Sequence, residues 1–579
     1  MRGNTVIQRR PAAAIPASYP ADLHPVLARV YAARDVVNAE QLQHGLALLP
    51  SHDHLKGIDG AADLLVHALE HQQRILVVGD FDADGATSTA LAVRALRAMG
   101  AEHVDFLVPN RFEYGYGLTP EIVAVAAQRT PDLIVTVDNG ISSLQGVDAA
   151  HALGMQVLVT DHHLPAAQLP QAEAIVNPNQ PGDTYPSKYL AGVGVIFYVM
   201  LALRAALRER SWFTHERPEP NLAQLLDLVA LGTVADVVTL DHINRILVAQ
   251  GLARIRTGQA CAGVRALLEI AGRQPSRIVA ADLGFAVGPR LNAAGRMADM
   301  SLGIRCLLSD DEDEARDLAQ QLDKYNRERR ATEDDMHNDA LMELQDFFDS
   351  GETAELPFGL CLYQSEWHQG VIGILASRIK ERLHRPVIIF TDSGDDEIKG
   401  SARSVSGVHI RDALDAIAAR HPGLISKFGG HAMAAGLTLQ RSDFESFRAA
   451  FDEEVRRHLS MEDLRGVVLS DGELEAAEID LSLAEIVRQA VPWGQGFPEP
   501  LFDGEFEVEQ QRVVGERHLK LKLRWPGSRR LIDAIAFNAD LEGWSEQTRR
   551  VRAAYRLDVN EYRGERTVQL IVEHLTPLF

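Results

Sequence analysis

The stretch RILVVGDFDADG, residues 74–85, decides the fold, because a short apolar run leads directly into three alternating carboxylates. Two further stretches, LIVTVDNG (133–140) and MQVLVTDHH (155–163), repeat this arrangement. Each run is short and rich in Val, Ile and Leu, which is typical of a fully buried parallel strand. Helical patterns lie between the runs, so the three segments predict βαβ units within an α/β domain.

Acidic and imidazole side chains follow all three runs, at the edge where open parallel sheets bind ligands. Carboxylates that converge on one edge repel each other unless a cation holds them, so the pattern predicts a divalent metal site. Several Asp residues mixed with His favour Mn²⁺ or Mg²⁺ over a metal that prefers thiolate ligands. The residues concerned are Asp80, Asp82, Asp84, Asp138, Asp161, His162 and His163.

The D-x-D-x-D-G pattern of residues 80–85 also matches the first half of an EF-hand calcium loop. The twelfth position of such a loop is a bidentate Glu, but here it is Leu91, and a strand rather than a helix precedes the pattern. A helix cap would need only one Asp. Asp236 lies in the apolar sequence LGTVADVV (231–238), where an unpaired carboxylate would be costly. It therefore either caps a helix or binds a cation.

Length and composition describe a globular protein of several domains. The chain has 579 residues, of which 46% are hydrophobic and 24% charged. Three widely spaced cysteines favour a reducing cytoplasm over a disulfide framework or a zinc site. The first 16 residues lack the apolar segment of a secretory signal. The apolar run 190–203 is too short to span a membrane, so we predict a cytoplasmic protein without membrane contact.

The net charge of −23 argues by itself against nucleic-acid binding, but the charge is unevenly distributed. Residues 512–530 carry seven Lys or Arg against one acid. Within RHLKLKLRW (517–525), alternation places Lys520, Lys522 and Arg524 on one face of a strand. That face is either an exposed edge whose charges deter aggregation or a phosphate track for single-stranded DNA.

Patterning along the chain predicts several regions. Strand and helix alternate from about 74 to 240, and PRLNAAGRM (289–297) has the composition of a Gly-bearing loop. A helix without Gly or Pro covers about 310–348, and a second α/β region with strands at 358–363, 386–391 and 435–439 follows. Five strand patterns between 500 and 575 favour a small barrel, with an OB-fold as the leading option. GVGVIF (192–197) lacks the third Gly of a dinucleotide-binding motif.

The motifs DFDADG, VDNG, TDHH and VADV together resemble the DHH phosphoesterase superfamily. PRLNAAGRM, WHQGVIGILASRI, GSARS and KFGGHAMAAG resemble its linking region and DHHA1 partner domain. With the predicted barrel, the order is similar to that of the RecJ family of bacterial single-stranded-DNA exonucleases over nearly the whole chain. The resemblance implies an α/β fold: a DHH parallel-sheet domain and a DHHA1 domain joined by a long helix, plus a C-terminal OB-fold-like β-barrel.

The expected domains follow from the patterning and the resemblance together. They are a helical leader (1–50), a DHH catalytic domain (51–260), a linking region with the long helix (261–349), a DHHA1 domain (350–460) and an OB-fold-like nucleic-acid-binding domain (461–579).

The resemblance also implies an activity, namely 5′-to-3′ hydrolysis of single-stranded DNA to mononucleotides in DNA repair and recombination. Two divalent cations, Mn²⁺ or Mg²⁺, would share Asp138 and activate the attacking water, and His163 would assist beside the substrate. Single-strand-binding protein and a helicase are the partners implied by the family. The metal residues that the resemblance implies are Asp82, Asp84, Asp138, His162 and Asp236, and Asp80 is a further candidate.

Small members of the superfamily have a His where this chain has Val78, so Asp80 is either a ligand or a group that supports one. Substrate contacts are implied in the linking region, in the DHHA1 domain and near residue 111, and are predicted on the barrel from its charge pattern. These residues are Arg111, Arg290, Asn292, Arg296, Ser401, Arg403, His431, Lys520, Lys522 and Arg524.

Two other functions are compatible with the DHH and DHHA1 motifs. A DHH–DHHA1 phosphodiesterase for small substrates would not need the added domain at 465–579. A replication scaffold that has lost its metals would not retain the full set of Asp and His residues.

Overall fold

The computed structural model describes residues 5–110, 117–349, 356–394, 396–515, 518–539, 544–545 and 547–578, and leaves the side chains of 345–349 out. The chain divides into two compact units. The first unit comprises Ala13–Asn326 and Ile486–Glu499, and the second comprises Met1–Ala12, Arg327–Glu485 and Pro500–Phe579. Within the described ranges, no helix has both the length and the apolarity needed to cross a bilayer.

The strands, in chain order, are β1 (Thr5–Arg9), β2 (Ile75–Val78), β3 (Val104–Leu107), β4 (Leu133–Val137), β5 (Gln156–Thr160), β6 (Ala174–Val176), β7 (Leu360–Tyr363), β8 (Val387–Asp392), β9 (Glu397–Arg403), β10 (Lys427–Gly430), β11 (Ala434–Gln440), β12 (Gly466–Ser470), β13 (Phe502–Val514), β14 (His518–Arg524), β15 (Leu531–Ala536), β16 (Arg550–Tyr562) and β17 (Glu565–Leu578).

The helices, in chain order, are α1 (Pro25–Ala32), α2 (Ile58–Glu70), α3 (Ala83–Ala98), α4 (Pro120–Ala127), α5 (Leu144–Ala152), α6 (Gly192–Glu209), α7 (Leu226–Ala235), α8 (His242–Arg256), α9 (Ala262–Ile270), α10 (Ala280–Asp282), α11 (Gly288–Met297), α12 (Ser301–Leu308), α13 (Glu312–Asp349), α14 (Ile372–Leu383), α15 (Ile410–Arg420), α16 (Phe444–His458) and α17 (Leu481–Ala490). A π-helical turn, Leu283–Val287, joins α10 to α11.

A parallel sheet with the strand order β3-β2-β4-β5-β6 forms the centre of the first unit. Every residue of β2 and β4 is buried, as the continuous apolar runs predicted. The chain moves from β2 outward to β3 and then returns to place β4 on the other side of β2. The strand order therefore reverses between β2 and β4, and open α/β sheets bind ligands at such a point.

The second unit contains the other predicted α/β region and the barrel. Its mixed sheet has the order β10-β11-β9-β8-β7, in which only β7 and β8 pair in parallel. The five C-terminal strands close into a barrel of order β13-β14-β15-β17-β16. This confirms the predicted barrel, while β9 and β10 are strands that the patterning did not predict.

Two local predictions differ from the structure. PRLNAAGRM was predicted as a loop, but it lies within α11, so this prediction was wrong. Its Gly295 is needed for close packing, because a Cβ there would lie 1.8 Å from the Phe81 carbonyl oxygen. Within the first 50 residues, which were predicted as helical, β1 pairs in parallel with β12. The long helix predicted at about 310–348 is confirmed as α13.

Candidate metal centre and substrate contacts

Asp138 lies at the reversal point of the sheet, directly after β4, with a positive φ of 62°. Asp and Asn tolerate this left-handed conformation better than other residues with a Cβ. The first residue of α6, Gly192, faces it so closely that a Cβ there would lie 2.6 Å from the Asp138 Cβ. The absence of a side chain at Gly192 therefore allows α6 to begin against the carboxylate.

Asp84 is fully buried in the first turn of α3, and the N-terminus of α6 holds its carboxylate. Its Oδ2 accepts a hydrogen bond of 2.6 Å from Gly192 N, and its Oδ1 accepts one of 2.9 Å from Val193 N. Free N–H groups at a helix N-terminus favour negative charge. GVGVIF, which lacks the third Gly of a nucleotide motif, thus serves to orient a carboxylate.

His162 Nε2 is the point on which carboxylates from three different segments converge. It lies 3.1 Å from Asp138 Oδ1, 3.5 Å from Asp236 Oδ2 and 4.0 Å from Asp84 Oδ2. The atom is buried, and among the described residues no group meets it in hydrogen-bonding geometry. An imidazole nitrogen surrounded by carboxylates without such a bond is typical of a metal ligand.

Ligand atoms close enough to share a cation form three overlapping groups, each within 4.8 Å. These groups are Asp138 with His162 and His163, Asp84 with His162 and Asp236, and Asp80 with Asp82 and Asp138. The structure thus brings together all six predicted metal residues, including Asp80 and Asp236, whose roles the sequence left open. His162 and Asp138 each belong to two groups, which is the arrangement that two neighbouring cations require.

The titration behaviour of the cluster shows the cost of assembling it without positive charge. Burial, and then the charge of Asp82, raises the pKa of Asp84 to about 7. Burial, followed by the charge of Asp84, also holds the pKa values of Asp138 and Asp236 well above their ordinary range. Burial lowers the pKa of His162 to about 4, so its imidazole is neutral and can bind a metal. The donor set therefore fits hard divalent cations.

His163 takes a different position from His162. Its Nδ1 lies 2.7 Å from Oδ1 of the buried Asp161, and 44% of its side chain is exposed. Burial disfavours its charged form, but the hydrogen bond and the charge of Asp161 outweigh this effect and raise the pKa of His163 to about 9. At neutral pH His163 is therefore a cation whose other ring nitrogen can donate to a bound phosphate.

Asp161 supports both imidazoles; the strand-end pattern placed it in the acidic cluster, but it is not among the metal residues that the resemblance implies. Its Oδ1 also accepts from the backbone N–H groups of His162 and His163, and its Oδ2 accepts from Ile141 N. Asn177 Nδ2 and Asn179 Nδ2 donate to the carbonyls of His163 and His162, at 3.0 and 2.6 Å. The position of Asp161 beside the two imidazoles was the available signal, whereas the two Asn residues are distant in sequence and gave none.

Helix α11 places three predicted substrate residues in the first unit. Asn292 Oδ1 accepts a 2.8 Å hydrogen bond from Ala83 N, between Asp82 and Asp84, so Asn292 lies beside the metal cluster. Arg290 forms an ion pair of 2.9 Å with Asp323, which opposes a simple phosphate-binding role. Arg296 is partly exposed near the end of α11.

Ser401 and Arg403 lie on β9 in the second unit, where the Arg403 guanidinium donates to Ser401 Oγ at 3.2 Å. Among the described residues, no carboxylate lies within ion-pairing distance of Arg403, and burial lowers its pKa. Gly373 leaves room for the pair, because a Cβ there would lie 2.9 Å from both side chains. His431 is exposed between β10 and β11. Arg111 lies outside the described residues.

Strand β14 has the predicted alternation, with Leu519, Leu521 and Leu523 buried. Its outward cations are partly neutralised. Lys522 Nζ lies 3.1 Å from Asp533, and Arg524 pairs at 2.7 Å with both Glu507 and Glu509. Within the described ranges, no carboxylate pairs with Lys520, so it is the cation of this face that is most available to an anion.

Comparison with known families assigns most of the chain. The model of the DHH family, N-terminal domain, matches residues 74–233. The DHHA1 domain model matches residues 357–457, and the RecJ OB domain model matches residues 470–574. These matches include the sheet that carries the carboxylate cluster, the sheet that carries Arg403 and the closed barrel.

Comparison with individual proteins gives the same result. The single-stranded-DNA-specific exonuclease RecJ of Dickeya dadantii is 56% identical over 578 residues, which is 99% of both chains. The crystal structure of Thermus thermophilus RecJ in complex with Mn²⁺ matches with a TM-score of 0.81 at 31% identity, covering 100% of this chain and 80% of that one. The Mg²⁺ complex matches with a TM-score of 0.76 at 30% identity, covering 100% and 79%.

Proposed function

The chain belongs to the RecJ family, and from this premise we propose that it is a single-stranded-DNA-specific exonuclease. In this proposal it hydrolyses a strand from the 5′ end and releases mononucleotides, in the cytoplasm, during DNA repair and recombination. The convergence of His162 with Asp84, Asp138 and Asp236 at the reversal point of a parallel sheet is the observation that carries the proposal. Single-stranded DNA as the substrate is supported by the Dickeya dadantii relative, a single-stranded-DNA-specific exonuclease that matches over 99% of both chains.

Two divalent cations, Mn²⁺ or Mg²⁺, are the proposed cofactors. Asp80, Asp82, Asp84, Asp138, His162 and Asp236 would hold them, as the three overlapping groups of ligand atoms support. When bound, such cations lower the pKa of the attacking water and stabilise charge on the oxygens of an in-line displacement. Solved RecJ complexes with Mn²⁺ and with Mg²⁺ support this choice of metals.

The protein residues position the reactants around that chemistry. Asp138 belongs to two ligand groups and is the proposed shared carboxylate. Protonated His163 donates from the ring nitrogen that Asp161 does not occupy, to a non-bridging phosphate oxygen or to the leaving oxygen. Because Asp161 fixes the other nitrogen, the imidazole keeps its orientation when the substrate changes charge.

Contacts with the remainder of the strand are assigned to residues that the sequence singled out. Ser401, Arg403 and His431 would recognise the 5′ phosphate, and Arg403 supports this role because no described acid pairs with it. Asn292 and Arg296 would contact the backbone beside the cluster, with Arg290 and Arg111 as further candidates. Lys520, Lys522 and Arg524 would form the phosphate track on the barrel. The domain boundaries would be those expected from the sequence, and single-strand-binding protein and a helicase would be its protein partners.

A cleavage assay on end-labelled DNA tests the activity and its polarity. A long single strand labelled at the 5′ end should release labelled mononucleotide at once in Mn²⁺ or Mg²⁺, while the same strand labelled at the 3′ end should shorten stepwise. A duplex of the same sequence should persist. Cleavage of short oligomers alone would favour a small-substrate phosphodiesterase, and binding without cleavage would favour a scaffold.

A matched variant separates this activity from a contaminating nuclease. Asp138→Asn keeps the side-chain shape and tolerates the positive φ at this position, but it removes the proposed shared carboxylate. It should abolish cleavage in both metals while leaving the affinity for single-stranded DNA largely unchanged. Turnover close to that of the wild type would contradict the two-metal assignment.

A further inference from the structure

Phe285 is the most exposed large apolar side chain among the described residues, with 79% of its surface accessible. No ring or cationic side chain in the described part of the chain packs against it. A Phe side chain that folds into a core removes a large apolar area from water, and Phe285 forgoes this gain. A single exposed apolar residue needs no explanation by itself, so its surroundings decide whether it has a function.

The backbone at Phe285 is unusual, because the residue lies in the π-helical turn Leu283–Val287 between α10 and α11. Such turns are rare and occur frequently at functional sites. Two glycines bring this turn against the end of α7. A Cβ on Gly284 would lie 3.2 Å from Val234 Cγ1, and one on Gly288 would lie 3.2 Å from Ala235 Cβ. The turn therefore lies against the residues that immediately precede Asp236.

Val237, immediately after Asp236, has a second unusual conformation. Its φ is 62°, and 62% of its surface is exposed. A β-branched residue in the left-handed region is a genuine outlier, and strain of this kind clusters at active sites and ligand-binding segments. Val237 N donates to Val234 O at 3.3 Å, and Gly284, the residue before Phe285, packs against the same Val234. Both exposed apolar residues therefore belong to segments that meet at the end of α7, next to Asp236.

Helix α11 relates Phe285 to the other side of the cluster. Pro289, Asn292 and Arg296 follow Phe285 at helical spacing, and all three are partly exposed. Asn292 Oδ1 accepts from Ala83 N, which lies between Asp82 and Asp84. Seven residues of helix correspond to about 10 Å along the axis from Phe285 to Asn292, a distance that a single strand covers in a few nucleotides. Along this set of partly or fully exposed residues, the side chains change from apolar at Phe285 to cationic at Arg296.

We propose that Phe285, with Val237 beside the same turn, is the platform on which one nucleobase of the single strand stacks, within a few nucleotides of the scissile phosphodiester. Every base has a π face, so stacking holds single strands without sequence preference. A base paired in a duplex already stacks on its neighbours, so the contact also favours a single strand. This inference rests on the proposed exonuclease function and adds a positioning residue for its substrate.

Steady-state kinetics of full-length variants provide the first test. Phe285→Ala should raise KM for a 5′-phosphorylated single strand by about tenfold, since stacking on an aromatic side chain contributes about 5- to 150-fold per base. Phe285→Trp should restore the wild-type KM, because indole also stacks. Tyr562→Ala removes another aromatic side chain, 64% exposed on β16, and should leave KM unchanged. Equal effects of Tyr562→Ala and Phe285→Ala would overturn the proposal.

Substrates that lack one base locate the contact. An abasic site placed at each of the first few nucleotides in turn should raise the wild-type KM at one position. At that position Phe285→Ala should show no further loss, because the base and the ring report one interaction. If the ratio of KM between Phe285→Ala and wild type is the same at every abasic position, the ring has only a structural effect and the proposal is overturned.

A binding measurement distinguishes failure of this inference from failure of the proposed function. With metal chelated to prevent cleavage, 2-aminopurine at the located position should be quenched by wild type and by Phe285→Trp, and less by Phe285→Ala. If wild type cleaves single strands, and Phe285→Ala has the same KM and the same quenching as wild type, only the inference is overturned. A wild-type protein that neither binds nor cleaves single strands overturns both. Intact activity together with loss of a protein partner in Phe285→Ala would assign the ring to a protein interface instead.

Discussion

His163 Nδ1 lies 2.7 Å from Oδ1 of Asp161, a carboxylate that is only 1% exposed and that also accepts from two backbone N–H groups of the same turn. Burial opposes ionisation of Asp161, but the hydrogen bond from His163 and its charge lower the pKa of Asp161 overall. The pair therefore persists as carboxylate and imidazolium at neutral pH. It separates the two adjacent imidazoles, because burial keeps His162 neutral while Asp161 keeps His163 charged.

Asp161→Asn should lower kcat by about 10- to 100-fold, the loss typical of residues that orient a functional imidazole. The variant removes the charge that raises the pKa of His163, so His163 should lose its proton at lower pH. Wild type keeps the imidazolium up to about pH 9, whereas variant activity should begin to fall near neutral pH. A profile of kcat against pH checks this, with Asp105→Asn, at an exposed acid paired with Arg129, as the matched control. Superimposable profiles for wild type and Asp161→Asn would contradict the role of the pair.

The carboxylate cluster predicts a dependence of stability on pH that metal should reverse. The pKa values of Asp84, Asp138 and Asp236 are raised in the folded protein, so the folded state binds more protons than the unfolded chain between about pH 4 and 7. The free energy of unfolding in chelator should therefore fall as pH rises through this interval. Thermal unfolding at pH 5 and pH 8 measures the change in stability between the two pH values, once in EDTA and once in Mn²⁺. Titrating groups outside the cluster contribute equally in both series, so the difference between the series reports the cluster.

Asp138→Asn tests the same repulsion without a change of pH. In chelator at pH 8 it should be more stable than wild type by roughly 1.4 kcal/mol or more, the equivalent of one pKa unit. This corresponds to an increase in Tm of about 1–2 °C for each kcal/mol, because the unit that carries Asp138 has more than 300 residues and the entropy of unfolding grows with size. The variant should also lose the stabilisation that Mn²⁺ gives to wild type. A lower Tm in chelator would show that Asp138 stabilises the fold without a cation.

Recognition of the 5′ end depends in this proposal on Arg403 and Ser401. Ser401→Ala combined with Arg403→Ala should lower kcat/KM for 5′-phosphorylated strands by about 10- to 100-fold, because hydrogen bonds to charged groups contribute about 1.5–3 kcal/mol. The loss on 5′-hydroxyl strands should be much smaller. Competition between the two substrates in one reaction measures the ratio directly, with Arg411→Ala, an exposed arginine of α15, as the control. Equal losses on both substrates would show that Arg403 stabilises the domain rather than binding phosphate.

The sequence predicted the sheet and its metal cluster because both depend on local, repeated patterns. Continuous apolar runs identify buried parallel strands, and parallel strands bring their carboxyl ends to one edge regardless of the detailed packing. Asp80, Asp138 and His162 could therefore be placed together without coordinates. The roles of Asp80 and Asp236 depended on distances that only the structure provides, so the sequence left both open.

Glycine accounts for much of what the sequence did not predict. Gly295 within PRLNAAGRM has the appearance of a loop residue, yet it lies in α11 and packs against the Phe81 carbonyl. Gly400 interrupts β9 in the same way, because a Cβ there would lie 2.5 Å from Phe390 Cε1. In both cases the glycine serves close packing with a residue distant in sequence. Local patterning cannot distinguish this use from a turn.

The outward face of β14 carries the three predicted cations, two of which already have acidic partners. Lys522 lies 3.1 Å from Asp533, and Arg524 pairs with Glu507 and Glu509. These groups are partly exposed, and such pairs contribute only about 0–1 kcal/mol, so a DNA phosphate can compete with the carboxylates. Lys520 has no such competitor among the described residues. The three cations should therefore contribute unequally to DNA binding.

Each phosphate contact on a single strand contributes about −0.7 to the slope of log affinity against log salt concentration. Lys520→Gln alone should flatten the slope by about 0.7, and Lys520→Gln with Lys522→Gln and Arg524→Gln should flatten it by roughly 1 to 2. Asp533→Asn releases Lys522 from its acidic partner and should tighten the binding of single-stranded DNA at low salt. If the Lys522–Asp533 pair served only the stability of the strand, this substitution would not tighten DNA binding. Short oligonucleotides that reach only the metal cluster should be cleaved at the wild-type rate by all these variants. A triple variant that binds long strands with an unchanged slope would show that β14 is an edge whose charges deter aggregation.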